Sequence, residues 1–457
     1  MDFFGEIMAF VLIGAGIFLS FPTGFIQFTH FFPAVRAAFS DSGSGEGVTS
    51  FQATATALAG SIGTANIAGV AGAIVTGGPG AVFWMWVAAV FGMATKFSEI
   101  ALAVRFRGGA MVCIERGMGK RFRPLAAAFA VFGALSCTVG TGLVQSNTVA
   151  NSVLSTASAL SPGVGRLPVL VVSGLAAAAL TALVIFGGAV RIGRVSEKAV
   201  PVMAVIYALA AVTVIIMNIK RIPAVLLSIA SSAFGLRPAA GGISSALFLR
   251  ALRVGAARGV YSNEAGVGSA PMAHANANDT DPVRQGMIGI FEVFFDTMVM
   301  CTLTALALLS SGIAIPYGDA DASGAALVAQ ALRPALGTFS EVFVSAMILV
   351  FAFTSIIAWS VCGESCVKYL FGEMSAIPFR IVFLIPVVIG AVLPVSSVWR
   401  AGEALNYLMA LPNVAMLLSL SRIVKRDVAE YKMFEKSPRR HYNKRRIVFG
   451  DKNGAES

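Results

Sequence analysis

Few side chains in this sequence could do chemistry, and most of them lie inside apolar runs. Glu264 sits in "RGVYSNEAGVGSAP", Asp296 in "FEVFFDTMVMCTLTAL", and Glu364 follows "FAFTSIIAWSVCG". Ionisable groups in such runs mark ion or substrate paths by default, because an unpaired charge in hydrocarbon is costly. Glu99, which ends its own run near Lys96 and Arg105, reads instead as a residue of the cytoplasmic interface. The remaining polar groups gather in two glycine-rich stretches. "AGSIGTANIAGV" holds Thr64 and Asn66 among Gly60, Gly63 and Gly69, and "RGVYSNEAGVGSAP" holds Ser262 and Asn263 among Gly259, Gly266 and Gly268. Glycine lets a helix unwind at such points. An unwound helix offers amino ends that suit a carboxylate, and carboxyl ends and free carbonyls that suit a monovalent cation. The alternative is that the glycines only allow close helix packing and the polar groups bond between helices. Glu264 reads as a brace, capping freed N–H groups or pairing with Arg258, since a carboxylate beside a substrate carboxylate would repel it.

Catalysis has little to work with. There is no H-E-x-x-H, G-x-S-x-G or Walker A match, and only three histidines, His30, His274 and His441. Cys113, Cys137, Cys301, Cys362 and Cys366 form no paired framework, and Cys362 and Cys366, four apart on one helix face, read as small packing residues. Nucleic acid is not indicated either. Of the net charge of +11, the segment from Arg422 onward contributes 11 Lys or Arg against 5 Asp or Glu, which reads as a cytoplasmic tail.

These groups must be positioned by a membrane bundle. The chain is 57% hydrophobic and 12% charged, with mean hydropathy +0.80, beyond what a water-soluble domain of this length tolerates. Apolar runs near 7–28, 52–75, 82–104, 124–153, 168–188, 199–217, 285–312, 338–361, 377–397 and 403–421 approach the roughly 20 residues that cross hydrocarbon. An eleventh crossing is needed near 243–270, where Arg250, Arg253, Arg258 and Glu264 weaken the signal. A cytoplasmic tail then puts the amino terminus outside. Arg105, Arg107, Arg116, Lys120, Arg121 and Arg123 fall inside, with Arg191, Arg194 and Lys198, while Asp319 and Asp321 fall outside. Lys220, Arg221 and Arg237 break the rule, and a short surface helix within 221–240 would hold them at the interface. Trp84 and Trp86 read as an aromatic belt.

Setting the first crossing aside leaves ten. "NIAGV" at 66–70 lies in the first helix of the first five, and "NEAGV" at 263–267 in the first helix of the second five. Because five is odd, the second set enters from the opposite side, an inverted repeat. Matching glycine-interrupted helices in two such halves point to a transporter's substrate site. The boundaries that follow are 1–50 for the extra helix and its cytoplasmic loop, 51–220 and 221–425 for the repeats, and 426–457 for the basic tail.

The segments "GSIGTANIAGVAGAIVTGGPGAVFWMWVAAVFGMATKFSE", "VQSNTVANSV", "RGVYSNEAGVGSAP", "FFDTMVMCT" and "AWSVCGESC" resemble the alanine or glycine:cation symporter family over about residues 8–425. The resemblance implies an all-α, multi-pass inner-membrane protein of the leucine-transporter type, with two discontinuous helices. It implies symport of sodium with small amino acids such as alanine and glycine, by a monomer that uses no organic cofactor. It implies an amino acid held by Thr64, Ala65, Asn66, Ser262, Asn263 and Gly266, with Gln145 and Trp359 beside it. It implies a sodium site of the Ala59 and Ile62 carbonyls and the Thr354 and Ser355 hydroxyls. Ala65 stands where the family usually has glycine, and "GGAMVC" at 108–113 departs from its usual "GGPM" after a loop shorter than usual. An amino-acid sensor and a proton-coupled carrier of the same fold are the rival functions.

Overall fold

The computed structural model describes residues 3–40, 48–161, 163–235, 243–319 and 324–436. Arg237, Asp321, His441 and the tail beyond residue 436 lie outside them. The chain begins with α1 (Phe3–Thr23) and a short α2 (Phe31–Ala38). The first half of the repeat follows as α3 (Ser50–Ser61), α4 (Ala68–Gly77), α5 (Gly80–Phe106), α6 (Arg123–Leu135), α7 (Gly142–Leu160), α8 (Arg166–Ile185) and α9 (Gly188–Met217). After α10 (Ile222–Ala233) come α11 (Ile243–Asn263), α12 (Ala270–His274), α13 (Pro282–Val293), α14 (Thr302–Ser311), α15 (Gly324–Leu336), α16 (Ser340–Phe371), α17 (Ala376–Gly390) and α18 (Val395–Lys436). Wide turns at Ser136–Thr141 and Phe294–Cys301 join α6 to α7 and α13 to α14 within single crossings.

Among the described residues, nine helices or joined helices are long and apolar enough to cross a membrane. The two remaining crossings are the interrupted ones, α3 with α4 and α11 with α12. That makes eleven, arranged as one amino-terminal helix and two sets of five. α11 scores poorly on hydropathy for a local reason: Arg253 pairs with Glu6 at 3.4 Å and Arg258 with Glu403 at 3.1 Å, so both charges are matched by neighbouring helices.

The core forms where small residues let backbones approach. A Cβ on Gly255 would lie 2.3 Å from the Ala81 carbonyl oxygen, and one on Gly259 would lie 2.8 Å from the Ala88 Cβ, so α11 crosses α5 in direct backbone contact. α5 lies at the centre of the bundle, packed against α1, α11 and α13. Arg105 pairs with Asp427 at 2.6 Å, His30 meets Glu435 at 3.3 Å, and Arg284 donates to Ser40 Oγ at 2.8 Å. These contacts gather α2, the end of α5, the start of α13 and the end of α18 on one basic face.

One element matches the sequence expectation and two differ from it. The short helix near 221–240 is α10, and Arg221 beside it donates to the Ser310 carbonyl at 3.1 Å, capping the last turn of α14. That bond explains one charge the positive-inside rule does not. α15 was not anticipated; it lies so close to the first interruption that a Cβ on Gly324 would touch the Ala68 carbonyl at 2.2 Å. Trp84 and Trp86 turn their N–H groups into the bundle, to the Ala233 carbonyl at 3.2 Å and Thr302 Oγ1 at 2.8 Å, so they join helices as well as fringe the bilayer.

Candidate functional site

The first interruption begins where the α3 ladder loses a donor. Gly63 N–H turns to Asn66 Oδ1 at 2.8 Å, so it no longer serves the Ala59 carbonyl four residues back. Residues Thr64–Asn66 form one tight turn, and α4 resumes at Ala68. Gly63 is required by its neighbours: a Cβ there would lie 2.7 Å from Ser355 Oγ and 3.2 Å from Gln145 Nε2. Thr64 Oγ1 donates to Gln145 Oε1 at 3.0 Å. The structure therefore brings Gly63, Thr64, Gln145 and Ser355 to one point. Ala59, Ile62, Thr354 and Ser355 are all fully buried beside it. Thr354 Oγ1 donates to the Phe351 carbonyl at 2.9 Å and Ser355 Oγ to the same carbonyl at 3.0 Å, so each hydroxyl oxygen keeps lone pairs for another partner. These two hydroxyls and the Ala59 and Ile62 carbonyls are the uncharged oxygens that the sequence expectation assigns to a monovalent cation.

The second interruption opens by a different route. Glu264, Gly266 and Gly268 all take left-handed backbone, at φ 56°, 90° and 90°. For Glu264 this is a strained conformation, of the kind that persists only where surroundings enforce it. Here the partners are specific. Trp359 Nε1 donates to Glu264 Oε1 at 2.8 Å and Ser269 Oγ to Oε2 at 2.6 Å. Glu264 thus neither pairs with Arg258, which is held by Glu403, nor caps backbone N–H groups, and the expectation of that brace is corrected. Its carboxylate instead lines a cavity of about 20 Å³ with Thr56, Gly60, Ser269, Trp359 and Cys362.

Asp296 ties the interruptions together. Asn66 Nδ2 donates to its Oδ1 at 2.6 Å, Ser262 Oγ to its Oδ2 at 2.8 Å, and Thr297 Oγ1 also to Oδ2 at 2.8 Å. The wide turn Phe294–Cys301 carries Asp296 to this position between the crossings. Behind it, Thr304 Oγ1 donates to the Asn66 carbonyl at 2.7 Å and shares a 2.7 Å hydrogen bond with the Tyr207 hydroxyl.

Not every expected residue reaches this group. Asn263 turns towards α5 and Thr297; its Oδ1 accepts from Ala265 N–H at 3.0 Å. Gly266 faces α1, where a Cβ would lie 2.3 Å from Leu12 Cδ2, and its carbonyl accepts from Asn413 Nδ2 at 2.9 Å. Ala65 is half-buried, its Cβ 3.4 Å from where a Cβ on Gly69 would stand. Glu364 lies elsewhere, paired with Arg380 at 2.8 Å and Lys368 at 3.1 Å.

Sequence reasoning missed Lys96. Both Lys96 and Glu99 are only 1% exposed, so neither faces solvent. Lys96 Nζ donates to the Asn263 carbonyl at 3.0 Å, the carboxyl end of α11. Asn413 Nδ2 donates to Glu99 Oε1 at 2.5 Å as well as to Gly266. A signal was present: opposite charges three residues apart in "GMATKFSEIALA" can neutralise each other inside an apolar helix.

Comparisons with known proteins agree with this fold. A profile described as the sodium:alanine symporter family matches residues 2–445. The sodium/alanine symporter AgcS of Methanococcus maripaludis is 41% identical over 445 residues, 94% of each chain. The probable sodium/glutamine symporter GlnT of Bacillus subtilis is 36% identical over 437 residues, 93% of this chain and 88% of that one. The crystal structure of MhsT in complex with L-phenylalanine superposes with a TM-score of 0.56 at 11% identity, covering 85% of this chain and 99% of that one.

Proposed function

The chain belongs to the sodium:alanine symporter family, and from that premise we propose that it couples sodium to the uptake of small neutral amino acids such as alanine and glycine. It is a multi-pass membrane transporter for amino acids and not an enzyme. The observation that carries the finer reading is the meeting of both interruptions at Asp296, through Asn66 and Ser262. Each interruption frees backbone groups near the middle of the bundle, where only a solute or a side chain can satisfy them. Thr64, Ala65, Gln145 and Trp359 form the wall facing the amino acid. Asn66 and Ser262 act through Asp296, and Asn263 and Gly266 support that wall from behind. Sodium takes the Ala59 and Ile62 carbonyls with the Thr354 and Ser355 hydroxyls, so its loading fixes the unwound turn that holds the amino acid. The basic face is cytoplasmic and the amino terminus lies outside. The repeats span 51–220 and 221–425, and one chain is the working unit.

Purified protein in vesicles tests this. An inward sodium gradient should drive accumulation of alanine above its external concentration, with glycine and serine competing and leucine not. Equal accumulation in sodium and in choline media would contradict sodium coupling. Thr354→Ala with Ser355→Ala should raise the half-saturating sodium concentration by about tenfold or more while leaving the rate at saturating sodium less affected.

A further inference from the structure

The cavity beside Glu264 shares Trp359 with the wall assigned to the amino acid and is otherwise lined by residues outside that wall, among them Thr56, Gly60 and Ser269. Trp359 is four residues beyond Ser355 on α16, so the cavity opens one helical turn from the hydroxyl pair. It lies on the side of the basic face, because α16 runs on to Tyr369, whose hydroxyl donates to Glu115 Oε2 at 2.5 Å in the 105–123 segment. At about 20 Å³ it holds roughly one water-sized occupant, too little for an amino acid. Its lining includes three oxygen-bearing residues, Glu264, Thr56 and Ser269, beside Trp359 and Cys362.

Among the described residues, no cation contacts Glu264. Trp359 and Ser269, its two hydrogen-bond donors, are neutral; Arg258 is held by Glu403 and Lys96 by the Asn263 carbonyl. Two of its lone-pair positions remain for a further partner. A Cβ on Gly60 would stand 3.7 Å from Oε2, in ordinary van der Waals contact with the carboxylate from the α3 side. A small cation is one occupant that would neutralise a buried carboxylate in this state.

We propose that this cavity is a second sodium site, in which Glu264 receives the ion leaving the Thr354–Ser355 hydroxyls and passes it towards the basic face. The proposal rests on the sodium symport argued above. It separates two transport modes. Net uptake requires sodium to leave on the inside, whereas alanine exchange at equal, saturating sodium on both sides does not.

Glu264→Gln in vesicles should therefore lower net sodium-driven alanine uptake by about tenfold or more while exchange stays within about twofold. Half-saturating external sodium should hold within about threefold, and Glu264→Asp should recover most of the net rate. Loss of both modes in protein that still binds alanine, or loss of neither, would overturn the site. If Glu264→Gln does not fold, Thr56→Val, which removes one lining oxygen at nearly constant shape, should give the same split at about threefold. Equal effects of Thr56→Val on both modes would overturn it too. Sodium-independent uptake by the unaltered protein would remove the parent reading, and this site with it.

Discussion

The two interruptions begin from nearly the same five residues and arrive at different structures. In 66–70 the second residue is Ile67, which keeps right-handed backbone at φ −102° and lets α4 resume at once. In 263–267 it is Glu264 at φ 56°, and the helix stays open until Ala270. The two asparagines diverge accordingly. Asn66 closes a turn with Gly63 and reaches Asp296, whereas Asn263 folds back on Ala265 and gives its carbonyl to Lys96. Gly69 lies inside a helix, while Gly266 is held open at φ 90° by Asn413 and Leu12. A repeat in sequence thus supplies two openings with separate duties. In the proposed reading the first presents side chains to the solute, while the second is braced by α1, α5, α16 and α18.

That contrast can be broken most severely at Lys96. Lys96→Met removes a buried cation and unpins the carboxyl end of α11. A loss of about 3–5 kcal/mol is expected, read as a large fall in the thermal unfolding midpoint in detergent. An unchanged midpoint would mean that the second opening needs no such brace. Next in size is Gly266→Ala, where a methyl meets both left-handed backbone and Leu12. It should cost about 1–3 kcal/mol of stability, whereas Gly69→Ala, inside α4, should cost well under about 1 kcal/mol. Equal midpoints for the pair would erase the distinction between the openings.

Effects on the solute side should be smaller in energy and visible in binding. Gln145→Ala leaves Thr64 without its partner and should weaken alanine binding by about fivefold to thirtyfold, roughly 1–2 kcal/mol. A lower unfolding midpoint with unaltered affinity would make Gln145 a bond between helices only. Ala65→Gly comes last. Its methyl lies near Gly69 in the same turn and is half-buried, so removing it should let serine compete better by about tenfold at most. An unchanged order among glycine, alanine, serine and leucine would exclude Ala65 as a steric filter.

The crossings, the inverted repeat and both interruptions were legible because hydropathy and glycine spacing act locally. What was not legible depends on distant partners. Nothing near Lys96 in sequence reveals that it ends at the Asn263 carbonyl, and Glu264 gives no local sign that its partners are Trp359 and Ser269 rather than Arg258. Asp296 read as functional from its apolar setting, but its role as the knot between the openings needed the wide turn at Phe294–Cys301, which periodicity does not show. Arg221 looked like a topological exception until its carbonyl partner at Ser310 appeared.

The division of labour between the openings is tested most directly by titrating alanine, at saturating sodium, into purified Thr64→Val and Gly266→Ala, with unfolding midpoints measured on the same samples. Thr64→Val should weaken the alanine Kd by about tenfold or more at a nearly constant midpoint, because only the bond to Gln145 and the solute is lost. Gly266→Ala should lower the midpoint while the Kd of the folded protein stays within about threefold. If Gly266→Ala weakened alanine binding as much as Thr64→Val with no loss of stability, the second opening would touch the amino acid as the first does, and the account would be wrong.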